Sequence, residues 1–168
     1  MKKLIQLIIA GMMILPVSLN AQQNPKCFIK QYKKQNGFTV ITIGKPAMNM
    51  FSLIAKAGDE KEIAQIFKRT DGIQILAFDS RHCMAQGETF ICEMLAFCKD
   101  NRYEELVEVV GPEETVRIFG RTEGEIITGL MILNRSNRGN SAEVVSLTGN
   151  FTVEDLHTIN KKEYVSIF

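Results

Sequence analysis

The sequence predicts an α+β domain in two layers, a largely antiparallel sheet of about six strands with helices packed on one face. Three observations carry that class. Four apolar segments, 103–110, 115–121, 125–134 and 142–151, follow one another with only short polar or glycine-bearing connections. Two β-branched segments, 38–43 and 73–78, lie upstream of them. Stretches with helical spacing of apolar residues separate those two strands and precede the four. Crossovers between parallel strands need about a dozen residues or more, so the short links make the last four strands a meander.

Ahead of the domain, Met1-Lys2-Lys3, an apolar run over 4–17 and the small Ala21 form the pattern of a signal peptide spanning 1–21. The run contains Gln6 and Pro16 and falls short of the ~20 residues of a membrane-spanning helix. No lipobox precedes Cys27, so the expected product is 22–168, exported and soluble in the periplasm or cell envelope. That leaves 147 residues, one ordinary domain. Removing Lys2 and Lys3 leaves 18 basic against 19 acidic residues, which gives nucleic-acid binding no support. No later segment is long and apolar enough to span a membrane.

In chain order, 27–35 reads as a helix with Phe28, Ile29 and Tyr32 on one side and Lys26, Lys30, Lys33 and Lys34 on a solvated face. A strand over 38–43 follows. Pro46 opens a second helix that runs to Gly58, with Met48 and Met50 as core filler. Asp59 and Glu62 resemble a capping box ahead of Ile63, Ile66 and Phe67, and Thr70-Asp71-Gly72 stops that helix before the strand 73–78. Phe90, Ile91, Met94, Leu95, Phe97 and Cys98 mark an amphipathic helix with Cys98 near the middle of its apolar arc and Cys92 outside it.

In the meander, Val116 and Ile118 alternate with polar neighbours, whereas 125–134 is apolar on both parities and belongs in the sheet's interior. Thr152 and Asp155 then form a capping-box-like start, with Phe151 and Leu156 at the two positions of a hydrophobic staple.

Chemical vocabulary is confined to 79–87, where Asp79, Ser80, Arg81, His82 and Cys83 adjoin. Catalytic groups are assembled in space and adjacent strand side chains point opposite ways, so the reading is no enzyme, with Asp79, His82 and Cys83 its weakest-excluded candidates. The spacing of Cys83 to Cys92 and Cys98 matches no zinc pattern, and neither metal nor cofactor is expected. In an oxidising compartment Cys27, Cys83 and Cys92 are the disulfide candidates. A Cys92–Cys98 bridge within one helix is excluded, because six residues of rise hold them about 9 Å apart.

The run "DEKEIAQIFKRTDGIQIL", then "YEELVEV", "VRIFGRTEGEIITGLMIL" and "VVSLTGNFTVEDLHTI", resembles the bacterial family called domain of unknown function 4252, over roughly residues 27–162. The resemblance implies a small exported protein and its topology. It implies no activity and transfers no functional residue.

The expected function is a non-enzymatic binding or interaction module for an envelope protein or peptide. The alternative is a small-ligand carrier with a pocket between sheet and helices. A hydrolase ranks below both. The polar loops 79–87 and 134–141 are the expected contact surfaces, through Asp79, Arg81, His82, Arg135, Asn137 and Arg138. Exposed sheet also allows a homodimer in which an edge strand pairs across a two-fold axis.

Overall fold

The structure is a computed structural model that describes residues 24–79, 84–138 and 141–155. The elements are α1 (Pro25–Lys30), β1 (Phe38–Gly44), α2 (Lys45–Ala57), α3 (Lys61–Arg69), β2 (Thr70–Asp79), α4 (Met84–Asp100), β3 (Glu104–Val110), β4 (Glu114–Glu123), β5 (Ile126–Ser136) and β6 (Ser141–Phe151). The strands form one sheet in the order β1-β2-β6-β5-β4-β3, and every neighbouring pair is antiparallel. The expected α+β class and C-terminal meander are therefore present. The segment apolar on both parities, β5, lies between β4 and β6.

Alternation sorts the strand residues into two faces. On the first, Leu76 and Phe78 of β2, Phe119 of β4, Met131 and Leu133 of β5 and Val144 of β6 meet α1 and α4 in the main core. Phe28 of α1 stacks on Phe97 of α4 at 4.7 Å, and Tyr32 packs edge-on to Phe90 at 5.1 Å. The Tyr32 hydroxyl donates to Glu93, tying the turn after α1 to α4. On the second face, Ile63 and Ile66 of α3 cover only Leu130, Leu147, Ile127 and Phe151 at one end.

Several local expectations change. α1 stops at Lys30, because Tyr32 and Lys33 turn onto carbonyls three residues back, at Ile29 and Lys30. Asp59 is not a cap: it takes φ +61° in the left-handed region, while Gly58 keeps φ −88° and Glu60 stands at the N-cap of α3 without a side-chain capping bond. β2 begins at Thr70 rather than after Gly72, since a bulge at Asp71 absorbs the turn residues. Met48 is buried as expected, but Met50 is more than half exposed because it lies on the opposite side of α2.

The α2–α3 hairpin is closed by polar contacts at both levels. Lys45 Nζ donates to the carbonyls of Lys68 at 2.7 Å and Thr70 at 3.0 Å, a cation placed on the last carbonyls of α3. Ser52 Oγ donates to the Ala64 carbonyl at 2.7 Å. After β6, the expected capping box forms: Thr152 N–H donates to Asp155 Oδ2 at 2.8 Å and Asp155 N–H to Thr152 Oγ1 at 3.2 Å. Leu156, the other half of the expected staple, lies outside the described residues.

Candidate functional site

Of the two loops expected to carry contacts, the described ends Asp79 and Ser141 pair at one end of the sheet. Asp79 closes β2 opposite Ser141, the first residue of β6, and its N–H donates to the Gly37 carbonyl at 3.0 Å. Arg81, His82 and Cys83 lie outside the described residues, as does His157. Arg135 is committed to Glu88 of α4 at 2.6 Å. Asn137 holds the β3–β4 turn, donating from Nδ2 to the Gly111 carbonyl at 2.8 Å and accepting from Thr115 Oγ1 at 2.9 Å. Arg138 is the freer group, 3.4 Å from Glu113 with both side chains solvated. It lines an open cleft of about 690 Å³ together with Glu113, Glu114, Asn134 and Glu143. Among the described residues that lining contains no His or Cys, and it offers carboxylates and one guanidinium for polar contact.

The thiols follow the helix geometry. Cys98 is buried with its Sγ 3.7 Å from Met131 Sδ, and burial pushes its thiol up to about 12. Cys27 and Cys92 are exposed, and the three described cysteines are free. Among the described residues no group of three His, Cys, Asp or Glu side chains is placed to hold a metal ion.

Two apolar surfaces stand out instead. α2 packs Met48 inward and sets Phe51 against Phe67 of α3 at 5.9 Å. Its opposite side presents Met50, Leu53 and Ile54, at i, i+3 and i+4, exposed by 54%, 70% and 62%. The second surface is the sheet face that α1 and α4 leave open. The pairings Ile41↔Ile75, Ile75↔Val145, Val145↔Ile132, Ile132↔Ile118 and Ile118↔Val107 place one unbroken β-branched row across all six strands. Beside it run Ile43, Ile73, Leu147, Leu130 and Gly120. A Cβ on Gly120 would come within 2.7 Å of Leu106, so glycine there makes room for the side chain at the β3 bulge. Sequence periodicity registered these strands as apolar; only the register shows that their second parities align into one surface.

Between sheet and helices, three buried polar atoms find no partner among the described residues: Gln74 Oε1, Ser146 Oγ and the Tyr103 hydroxyl. Gln74 and Ser146 are cross-strand neighbours, on the same parity as Leu76 and Val144.

The fold and these surfaces define an open-sheet α+β domain with unpartnered apolar faces and no assembled chemistry among its described residues. The family model described as Domain of unknown function (DUF4252) matches residues 32–159, and the chain belongs to that family. No curated protein and no solved structure matches the chain. Among the described residues no helix is long and apolar enough to cross a membrane.

Proposed function

We propose that the chain is an exported, non-enzymatic interaction module of the cell envelope, docking a protein partner on the outward ridge of α2. The observation that carries this reading is the exposure of Met50, Leu53 and Ile54 in one helical stripe. Three such side chains in water lack the burial that stabilises a helix face, and the i, i+3, i+4 pattern is the one a partner's apolar groove accepts. Each would contribute about 1.5–3 kcal/mol on full burial. Export rests on the basic start, the apolar run over 4–17 and Ala21.

The test compares mature protein with its Leu53→Asp variant in cross-linking capture from envelope extract, read by mass spectrometry. A partner lost roughly tenfold or more in the variant, with circular dichroism unchanged, is the expected result. Equal capture by both proteins removes the ridge from the function.

A homodimer belongs to the same reading. Every residue of β3 is exposed, and this edge strand carries Leu106, Val107, Val109 and Val110. A second reading, a small-ligand carrier, draws support from Gln74, Ser146 and Tyr103, whose buried polar atoms lack a partner among the described residues. Native mass spectrometry of freshly purified protein separates it, since a carrier arrives with a bound small molecule.

A further inference from the structure

We propose that the lysine face of α1 and of the turn after it docks the protein onto an anionic lipid bilayer, with phosphate headgroups as its counter-charge. The first argument is the segregation of charge. Residues 24–36 hold Lys26, Lys30, Lys33 and Lys34 and no acid, whereas residues 104–114 hold five glutamates and no base. A chain with 20 basic and 19 acidic residues thus carries a basic pole and an acidic one. The basic segment lies against β1, where Tyr32 packs on Phe38 at 4.8 Å, and the glutamates lie on and just after β3, the opposite edge of the sheet.

The second argument is that the lysines are firmly based and unspent. Phe28, Ile29 and Tyr32 are buried in the main core, so the backbone that carries the four lysines is anchored while the lysines themselves are exposed. Among the described residues none of the four is in an ion pair. Glu93 of α4 accepts from the Tyr32 hydroxyl instead. Like charges held together in this way repel one another, and an external anionic surface relieves that repulsion. The third argument is residue type and shape. All four are lysines, compact charges on flexible stems, without the arginine fork that grips a single phosphate. None of them lines the cleft beside Arg138. A diffuse lysine patch matches the diffuse field of a headgroup plane, to which each lysine adds its own attraction. The same surface repels the acidic edge, so contact also orients the domain. α1 and α4 pack on the first sheet face and α3 on the second, which sets the α2–α3 hairpin on the side away from the lysines. The inference rests on the export reading for the membrane that the protein meets, and the ridge on α2 is a separate surface.

Flotation of the exported protein with vesicles tests it, using phosphatidylcholine alone and phosphatidylcholine mixed equally with phosphatidylglycerol. The expected result is co-flotation with the mixed vesicles only, weakening steeply from low to physiological salt. Lys26→Gln, Lys30→Gln, Lys33→Gln and Lys34→Gln combined are expected to lower that binding roughly a hundredfold or more, with circular dichroism unchanged. Lys56→Gln, Lys61→Gln and Lys68→Gln combined, on the α2–α3 hairpin, are the control and should float as wild type does. Flotation with neither vesicle, equal flotation with both, a quadruple variant that floats like wild type, or loss in the hairpin variant alone overturns the proposal. So does displacement by millimolar glycerol phosphate, which would mean a pocket for one phosphate rather than a surface. None of these outcomes touches the ridge on α2, which is read separately on Leu53→Asp.

Discussion

Cys98 and Cys92 sit six residues apart on one helix and differ in everything that decides thiol chemistry. Burial raises the Cys98 thiol to about 12 and leaves it among the side chains under the sheet, while Cys92 faces water. Iodoacetamide applied to native protein is expected to label Cys92 and Cys27 readily and Cys98 only after unfolding, as peptide mass spectrometry will show. That contrast was legible in the sequence, because a residue's angle on an amphipathic helix follows from spacing alone. The fates of Arg135 and Asn137 were not. Their partners, Glu88 and Gly111, lie on other elements and are brought close by the fold. Asp155 carries a pH dependence with a definite sign. Burial acts to raise its carboxyl, but the Thr152 N–H, the Arg69 guanidinium and the Thr152 hydroxyl outweigh it and hold the group below the usual aspartate value of 3.8. A depressed folded pKa stabilises the fold above the unfolded value and loses that contribution as pH falls through the folded one. Denaturant melts of wild type and Asp155→Asn should therefore differ at neutral pH and converge in strong acid. A gap that persists unchanged at about pH 2 would show that the charge is not what the site uses.

At the level of elements, strand positions were readable because turn residues and β-branched runs are local signals, and the hairpin at Gly124 with φ +63° is one of them. Boundaries shifted where tertiary contacts intervened: β2 absorbs Asp71 as a bulge because its neighbour β6 fixes the register on either side. That junction carries a testable constraint. A Cβ on Gly149 would meet the Arg69 carbonyl oxygen at 2.5 Å and the Thr70 Cα at 3.0 Å, both backbone atoms that cannot rotate away. Gly149→Ala is expected to cost about 1–3 kcal/mol in urea unfolding, with β6 and the end of α3 forced apart. Gly120→Ala is the control: its nearest neighbour is the flexible end of Leu106, which can move aside. If the two variants unfold alike, backbone approach is not what requires glycine at 149. The helical elements show the complementary limit of sequence reading. α2 is apolar on both sides, so composition identified a helix without identifying which side was inside; Met48 and Met50 parted company only when the hairpin with α3 was in place.

For the whole molecule, the controlling fact is that a six-stranded sheet has two edges, and they are not equivalent. β1 is extended directly into α2, whose hairpin partner α3 is anchored by Lys45 to the carbonyls of Lys68 and Thr70. β3 has no such neighbour among the described residues, and all seven of its positions are exposed. Its acidic side chains are partly engaged: Arg117 reaches Glu105 at 2.5 Å and Glu108 at 3.4 Å, an ion pair that raises the guanidinium first through its hydrogen bond to Glu105. What remains available is the aliphatic side, Val107 and Val109, aligned with Ile118 and Val116 of β4. Edge strands avoid pairing with another chain through charge or a bulge, and the bulge at Leu106 protects only the first half of this strand. The second half is therefore where two copies would join, continuing the apolar row from one sheet into the next. Sedimentation velocity is expected to show concentration-dependent dimers of the protein and their loss in Val109→Lys, with the monomer's circular dichroism unchanged. Dimers that survive the lysine would exclude the β3 edge and move the contact to α2, a result that Leu53→Asp can then check directly.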